Sequence, residues 1–186
     1  FTGLYATLDR TRSTNAKIEA VADYFDVAAP GDAAWALFLL IGQRFKRLVG
    51  PAELQRLLAE HTGLPDWLVS ECVTDVGDLA EAVALLVDGE GVTVAEWQHE
   101  PAPRDDVEEL GDMGLQAWIE REVQPLADLP EQERAERVHT WWRTLDPETI
   151  FVTGKMLTGS LRVGVSKNLA AKALARDAPV SVEVIQ

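Results

Sequence analysis

The chain has 186 residues, 47% hydrophobic and 26% charged with six Trp, which suits one domain or two small lobes sharing a core. No apolar run approaches the ~20 residues that cross a bilayer. The opening FTGLYATLDRTRSTNAK lacks the apolar stretch of a signal peptide, and a lone cysteine, Cys72, excludes an internal disulfide framework or a Cys-rich zinc site.

The elements read as helices almost throughout. Ile18, Val21, Tyr24 and Phe25 form the apolar stripe of a first helix, which Pro30-Gly31 ends. Asp32 is expected to cap the next, where Ala34, Leu37, Phe38, Ile41, Phe45 and Leu48 recur at helical spacing. Gly50-Pro51 starts another, with Leu54, Leu57 and Leu58, closed by Gly63. Pro65 opens a short helix with Trp67 and Leu68, and Val76, Leu79, Val83 and Leu86 predict one periodic helix stopped by Asp88-Gly89-Glu90-Gly91. Residues from about 89 to 111 carry Gly, two Pro and acidic clusters and read as a linker, with VTVAEW as a short extended piece. Helices resume with Leu115, Trp118, Ile119 and Val123, then with Val138, Trp141 and Leu145 in a helix entered at Pro130. Asp146-Pro147 caps a helix containing Ile150, Phe151 and Met156, and Ser166 caps a last one with Leu169, Ala173 and Leu174. The expected class is all-α, a two-lobed multi-helix domain over residues 1–186. Lobe 1 covers about 1–88 and lobe 2 about 112–177.

Net charge is −14, which as a total argues against a polyanionic partner. Its distribution softens that argument. Residues 1–56 hold seven basic and six acidic groups, residues 57–154 five and twenty-three, and residues 155–186 five and two. Both ends can therefore meet a polyanion while the acidic middle confers solubility or faces a basic partner.

The segment GSLRVGVSKN, residues 159–168, is the most informative. Gly159 and Gly164 bracket Arg162, and Ser166 precedes a helix that carries Lys167 and Lys172. Glycine allows close backbone approach, a helix N-terminus offers N–H groups and partial positive charge, and arginine adds a bidentate donor. With Lys155, this composes a sequence-independent phosphate clamp. The same residues also suit an ordinary inter-helix loop with a solvated arginine. Arg10, Arg12 and Lys17 surround hydroxyl and amide side chains at a helix start and carry the same two readings. Arg44 and Lys46 lie in a basic run expected to end a helix, where the macrodipole favours cations in any case. Asp78 and Glu81 form a carboxylate pair that suits helix capping better than catalysis, since no His or Cys converges there. His139, beside Trp141-Trp142, reads as packed, and Arg134, in the acidic second lobe, as a cation silent in binding. There is no Walker A loop, no paired-glycine dinucleotide fingerprint and no GxSxG, so no catalytic residue and no metal ligand is assigned.

Four segments together resemble the N-terminal domain of ATP-dependent DNA ligases of the bacterial type: LDRTRSTNAKIEAVADYF, DAAWALFLLIGQRFKRLV, GLPDWL with VGDLAEAVALL, and KMLTGSLRVGVSKNLAAKALA. The resemblance implies a non-catalytic, all-helical domain that grips duplex or nicked DNA while a catalytic core encircles it. That core would adenylylate its own lysine with ATP and Mg, pass AMP to the 5′-phosphate and join the 3′-hydroxyl. Such a ligase would be expected to serve DNA repair, replication and recombination. The nucleotidyl-transfer and OB-fold domains of such ligases are expected to lie outside this chain, which alone should need no cofactor and be inactive. By position, Gly159, Arg162, Gly164 and Ser166 would touch the phosphate backbone, with Arg10, Arg12, Lys17, Arg44 and Lys46 as further candidates. The expected partners are DNA and the ligase's own core, in the cytoplasm and away from any membrane. The alternative is an acidic helical module that recruits a basic protein.

Overall fold

Apolar periodicity and capping residues together decide where each helix runs. In the computed structural model, which describes residues 1–45, 48–88, 110–111 and 113–176, ten α-helices and no strands occur among the described residues. They are α1 Thr2–Arg10, α2 Thr14–Val27, α3 Pro30–Leu40, α4 Pro51–Thr62, α5 Asp66–Val76, α6 Leu79–Asp88, α7 Leu115–Trp118, α8 Glu131–Thr144, α9 Pro147–Thr158 and α10 Lys167–Ala175. A π-helical turn, Ile119–Val123, and a 3₁₀ turn, Gln124–Ala127, follow α7. The all-α expectation holds. None of the described helices is long and apolar enough to cross a membrane.

Several boundaries differ from expectation, each for a local reason. The opening residues form α1, whose Leu4, Tyr5 and Leu8 are buried; its pattern is short and begins without a capping side chain. Helix α3 starts at Pro30, capped by Ala29, because proline's fixed φ suits the first helical turn. Asp32 instead sits inside that turn, where its carboxylate accepts the Gln116 backbone N–H at 2.8 Å. The helix stops at Leu40 and Gly42 turns the chain at φ +83°, so Phe45 and Leu48 do not continue it. Gly77, left-handed at φ +77°, divides the expected single helix into α5, with Val76, and α6, with Leu79. VTVAEW lies outside the described residues.

The helices gather into two units whose boundaries cut across the two expected lobes. The first comprises Phe1–Arg44, Gly114–Gln116 and Leu161–Gln186, and the second Phe45–Met113 and Ala117–Ser160. The physical reason is that α10 packs on α2, drawing the end of the chain to its beginning. The division also sorts charge: eight basic and seven acidic residues in the first unit, nine and twenty-four in the second.

In the second unit, α6 crosses α9 closely. A Cβ added at Gly154 would lie 2.9 Å from the Ala80 Cβ, so only glycine permits the approach. Trp141 is buried and donates its indole N–H to Glu122, 2% exposed, at 2.9 Å. His61 of α4 and His139 of α8 stack with centroids 5.4 Å apart, their Nδ1 atoms 3.2 Å apart. The Trp142 ring stands edge-on to both. His139 is 0% exposed, as its packed reading requires.

Burial, with the nearby Arg143 cation, lowers His61 to about 4. Burial, then His61, Arg143 and Arg56, lowers His139 to about 3. Both rings are thus neutral in the folded chain at pH 6, while the unfolded chain begins to protonate them near 6.5. Stability contributed by these neutral rings is intact above pH 6.5 and is lost as pH falls through the interval below it. Urea midpoints should therefore fall between pH 6.5 and about 5, above the main carboxylate range. The double variant His61→Gln/His139→Gln should show a flatter profile in that window whatever its absolute stability; an unchanged slope would contradict this account.

Candidate nucleic-acid interface

The first unit brings both basic ends of the chain together. Ser13 caps α2 by accepting the Ala16 N–H at 3.3 Å, and Ser166 caps α10 by accepting the Leu169 N–H at 3.1 Å. Lys17, in the first turns of α2, donates its ammonium to the Val163 carbonyl just before α10. Further along, Asp23 of α2 pairs with Arg176 at the end of α10, 2.9 Å apart. Two contacts in that order mean that the helices run parallel, with their serine-capped N-termini at the same end. Parallel macrodipoles repel, a cost that apolar burial in the unit, including Val21, Ala22, Leu169, Ala170 and Ala173, must offset. The result is a concentration of partial positive charge where the two N-termini lie.

The connecting loop presents its side chains by alternation. Leu161, Val163 and Val165 are buried, whereas Arg162, Gly164 and Ser166 are exposed. The apolar residues anchor the loop and leave the arginine in water. Gly164 adopts φ +68°, and a Cβ there would lie 3.0 Å from the Lys17 Nζ. The positive φ favours glycine, and a side chain would also press on the Lys17 ammonium.

The remaining candidates separate. Lys167 is exposed in the first turn of α10, and Arg12 is exposed between α1 and α2. Arg10 is exposed in the last turn of α1, where the helix dipole alone favours a cation. Arg44 is exposed but lies beyond the end of α3, so the expectation that its basic run ends a helix is corrected, and the dipole does not account for it. Lys46 lies outside the described residues. Gly159 and Lys155 belong to the second unit, not to the unit of Arg162. Gly159 ends α9 at φ +65°, with its N–H turned back to the Lys155 and Met156 carbonyls, a capping role.

Lys155 has a structural partner. Its ammonium bonds to Asp78 and lies 5.1 Å from the Phe151 ring centroid, with the side chain 13% exposed. Asp78 also caps α6, accepting the Glu81 N–H at 3.1 Å. Burial raises the Asp78 carboxyl, but hydrogen bonds from Lys155 and the Glu81 and Ala80 N–H groups, with the ammonium charge, outweigh it and hold the group below its ordinary value. The capping reading of Asp78 is thereby met. Among the described residues no group of three or more His, Cys, Asp or Glu could hold a metal. Arg134, the charge-matched control that the sequence suggests, is half-buried and bonds Glu53 at 2.8 Å and the Leu129 carbonyl at 3.2 Å. The Lys17–Val163 contact was not legible as such, although the alternation in LRVGVS signalled a loop anchored on one side.

Lys155→Met should leave the Asp78 carboxylate without its cation and cost about 1–2 kcal/mol of stability, discounted for partial exposure. Chemical denaturation reads the loss. A variant as stable as the parent would return Lys155 to the surface.

The chain matches the family described as DNA ligase N terminus over residues 1–175. No curated protein matches it.

Proposed function

The chain belongs to the DNA ligase N-terminal family, and from that membership we propose that it is a non-catalytic DNA-binding domain. It grips the duplex backbone around a nick so that the ligase's catalytic core, supplied with ATP and Mg, can seal it. The observation that carries this reading is the pair of serine-capped N-termini joined through Lys17 and Val163, with Arg162 exposed on the loop leading into α10 and Arg12 and Lys167 exposed nearby in sequence. Helix N-termini favour anions, and an arginine can clamp a phosphate through two N–H groups. Neither feature reads base sequence, so contacts should be to the backbone. DNA repair, replication and recombination, and a cytoplasmic setting, follow as the processes and place such a ligase would serve.

A second reading, recruitment of a basic protein, draws on α5 and α6. Together they carry exposed Asp66, Glu71, Asp75, Glu81 and Asp88 and no Lys or Arg, and Trp67 is 67% exposed. Salt titration separates the two. The DNA-binding domain should bind duplex or nicked DNA in the micromolar range or weaker, with little sequence preference. About five phosphate contacts would give a log–log slope near −4.5. A chain that ignores DNA even at low salt belongs to the second reading.

Arg162→Ala should weaken binding to all DNA sequences alike, reduce the slope by about one unit and leave stability nearly unchanged. Gly164→Val should also weaken binding, through strain at positive φ. The charge-matched control is Arg121→Ala, exposed in the acidic second unit; Arg134 is unsuitable because it holds Glu53. Equal losses for Arg162→Ala and Arg121→Ala would reduce the effect to net charge and remove the clamp.

Incubated with labelled ATP and Mg, the chain should neither adenylylate itself nor ligate, because it contains no Lys-x-Asp-Gly sequence. A stably labelled band would reveal a nucleotide site and overturn the non-catalytic assignment.

A further inference from the structure

Resting on the DNA-binding reading above, we propose that Lys17 is a positioning residue for that interface. It fixes the 161–166 loop, and through the loop Arg162, instead of meeting phosphate itself. Three observations converge on this role. The ammonium is directed at a backbone carbonyl within its own unit, that of Val163, and the side chain is half-buried. A lysine reaching for phosphate would extend its charged head into water. Val163 lies at the centre of the buried set Leu161, Val163 and Val165, so the bond holds the loop at its middle, one residue from Arg162. Gly164 supplies the remaining constraint, since a Cβ there would lie 3.0 Å from the ammonium.

The physical consequence concerns the entropy of binding. An arginine on an unfastened loop must surrender backbone freedom when it meets phosphate, and that cost is subtracted from the affinity. A loop already fastened at Val163 presents Arg162 with the backbone ordered beforehand. The fastening is polar and links the α2 and α10 ends of the unit, so removing it should loosen the loop while the apolar anchors keep the fold.

The test is a double-mutant cycle on duplex-DNA affinity, using Lys17→Met and Arg162→Ala alone and combined, with thermal midpoints measured in parallel. Lys17→Met should weaken binding by about tenfold, the size expected for one charge-assisted contact, while the thermal midpoint falls by only about 3–6 °C and unfolding stays cooperative. In the Arg162→Ala background the same substitution should cost less than about twofold, no more than the Arg121→Ala charge control. Gly164→Ala, which crowds the ammonium from the other side, should show the same dependence on Arg162. If Lys17→Met costs tenfold in both backgrounds, Lys17 is a direct phosphate contact and the proposal fails. It also fails if Lys17→Met leaves wild-type affinity unchanged, or if affinity falls only in step with a collapsing thermal midpoint. Failure of the underlying reading looks different: Arg162→Ala would then leave DNA affinity intact.

Discussion

The docking of α10 onto α2 is the contact on which the first unit depends. Neither helix carries enough apolar surface to stand alone, since short isolated helices are marginal in water. Each has buried apolar residues, Val21 and Ala22 in α2 and Leu169, Ala170 and Ala173 in α10, and the pair is fastened from Lys17 to Val163 and from Asp23 to Arg176. Every candidate property of the interface follows from that geometry. Two capped N-termini share an end, the loop leading into α10 is anchored by alternate side chains, and its arginine is left in solvent.

The same packing resolves the tension in the charge count. A total of −14 describes the chain but not the surface on which a ligand would act. Once the ends are joined, their unit has nearly balanced charge, and twenty-four of the thirty-one acidic residues fall in the other. At physiological ionic strength a charge field fades over about 8 Å, so nearby groups govern a phosphate contact more than the sum does. The acidic unit has its own internal order. Asp78 is occupied by Lys155 and the α6 N-terminus, Glu53 by Arg134, and Glu122 by the Trp141 indole.

Much of this was legible in the sequence, for reasons that are local. Ser166, Asp146 and Asp78 announce helix starts because an oxygen one turn before an N–H satisfies it, and all three do so. Pro51 and Gly63 bracket α4 through their backbone preferences. What escaped was decided by distant partners. Asp32 looks like a cap, yet its carboxylate is used by Gln116, eighty-four residues away. Lys155 reads as a free cation next to the glycine-bracketed loop until Asp78 is found beside it. The expected lobes assumed that neighbours in sequence share a core, and α10 instead seeks α2. No property of LRVGVS by itself names Lys17 as its partner, although its alternation marks which residues turn inward.

The long closure of the first unit also orders events in time. Lys17 and Val163 are 146 residues apart, and Asp23 and Arg176 are 153 apart. As the chain emerges from a ribosome, α1 and α2 appear well before α10 and find none of it to cover them. The residues of the second unit have all been synthesised by Ser160, before the loop and α10 exist. Of the two units the first is therefore the later to have its residues complete, and until then α2 lacks the cover of α10. Contacts between remote residues close slowly because the intervening loop must be ordered before they form. The interface thus comes into being only after α10 has been made and has reached α2.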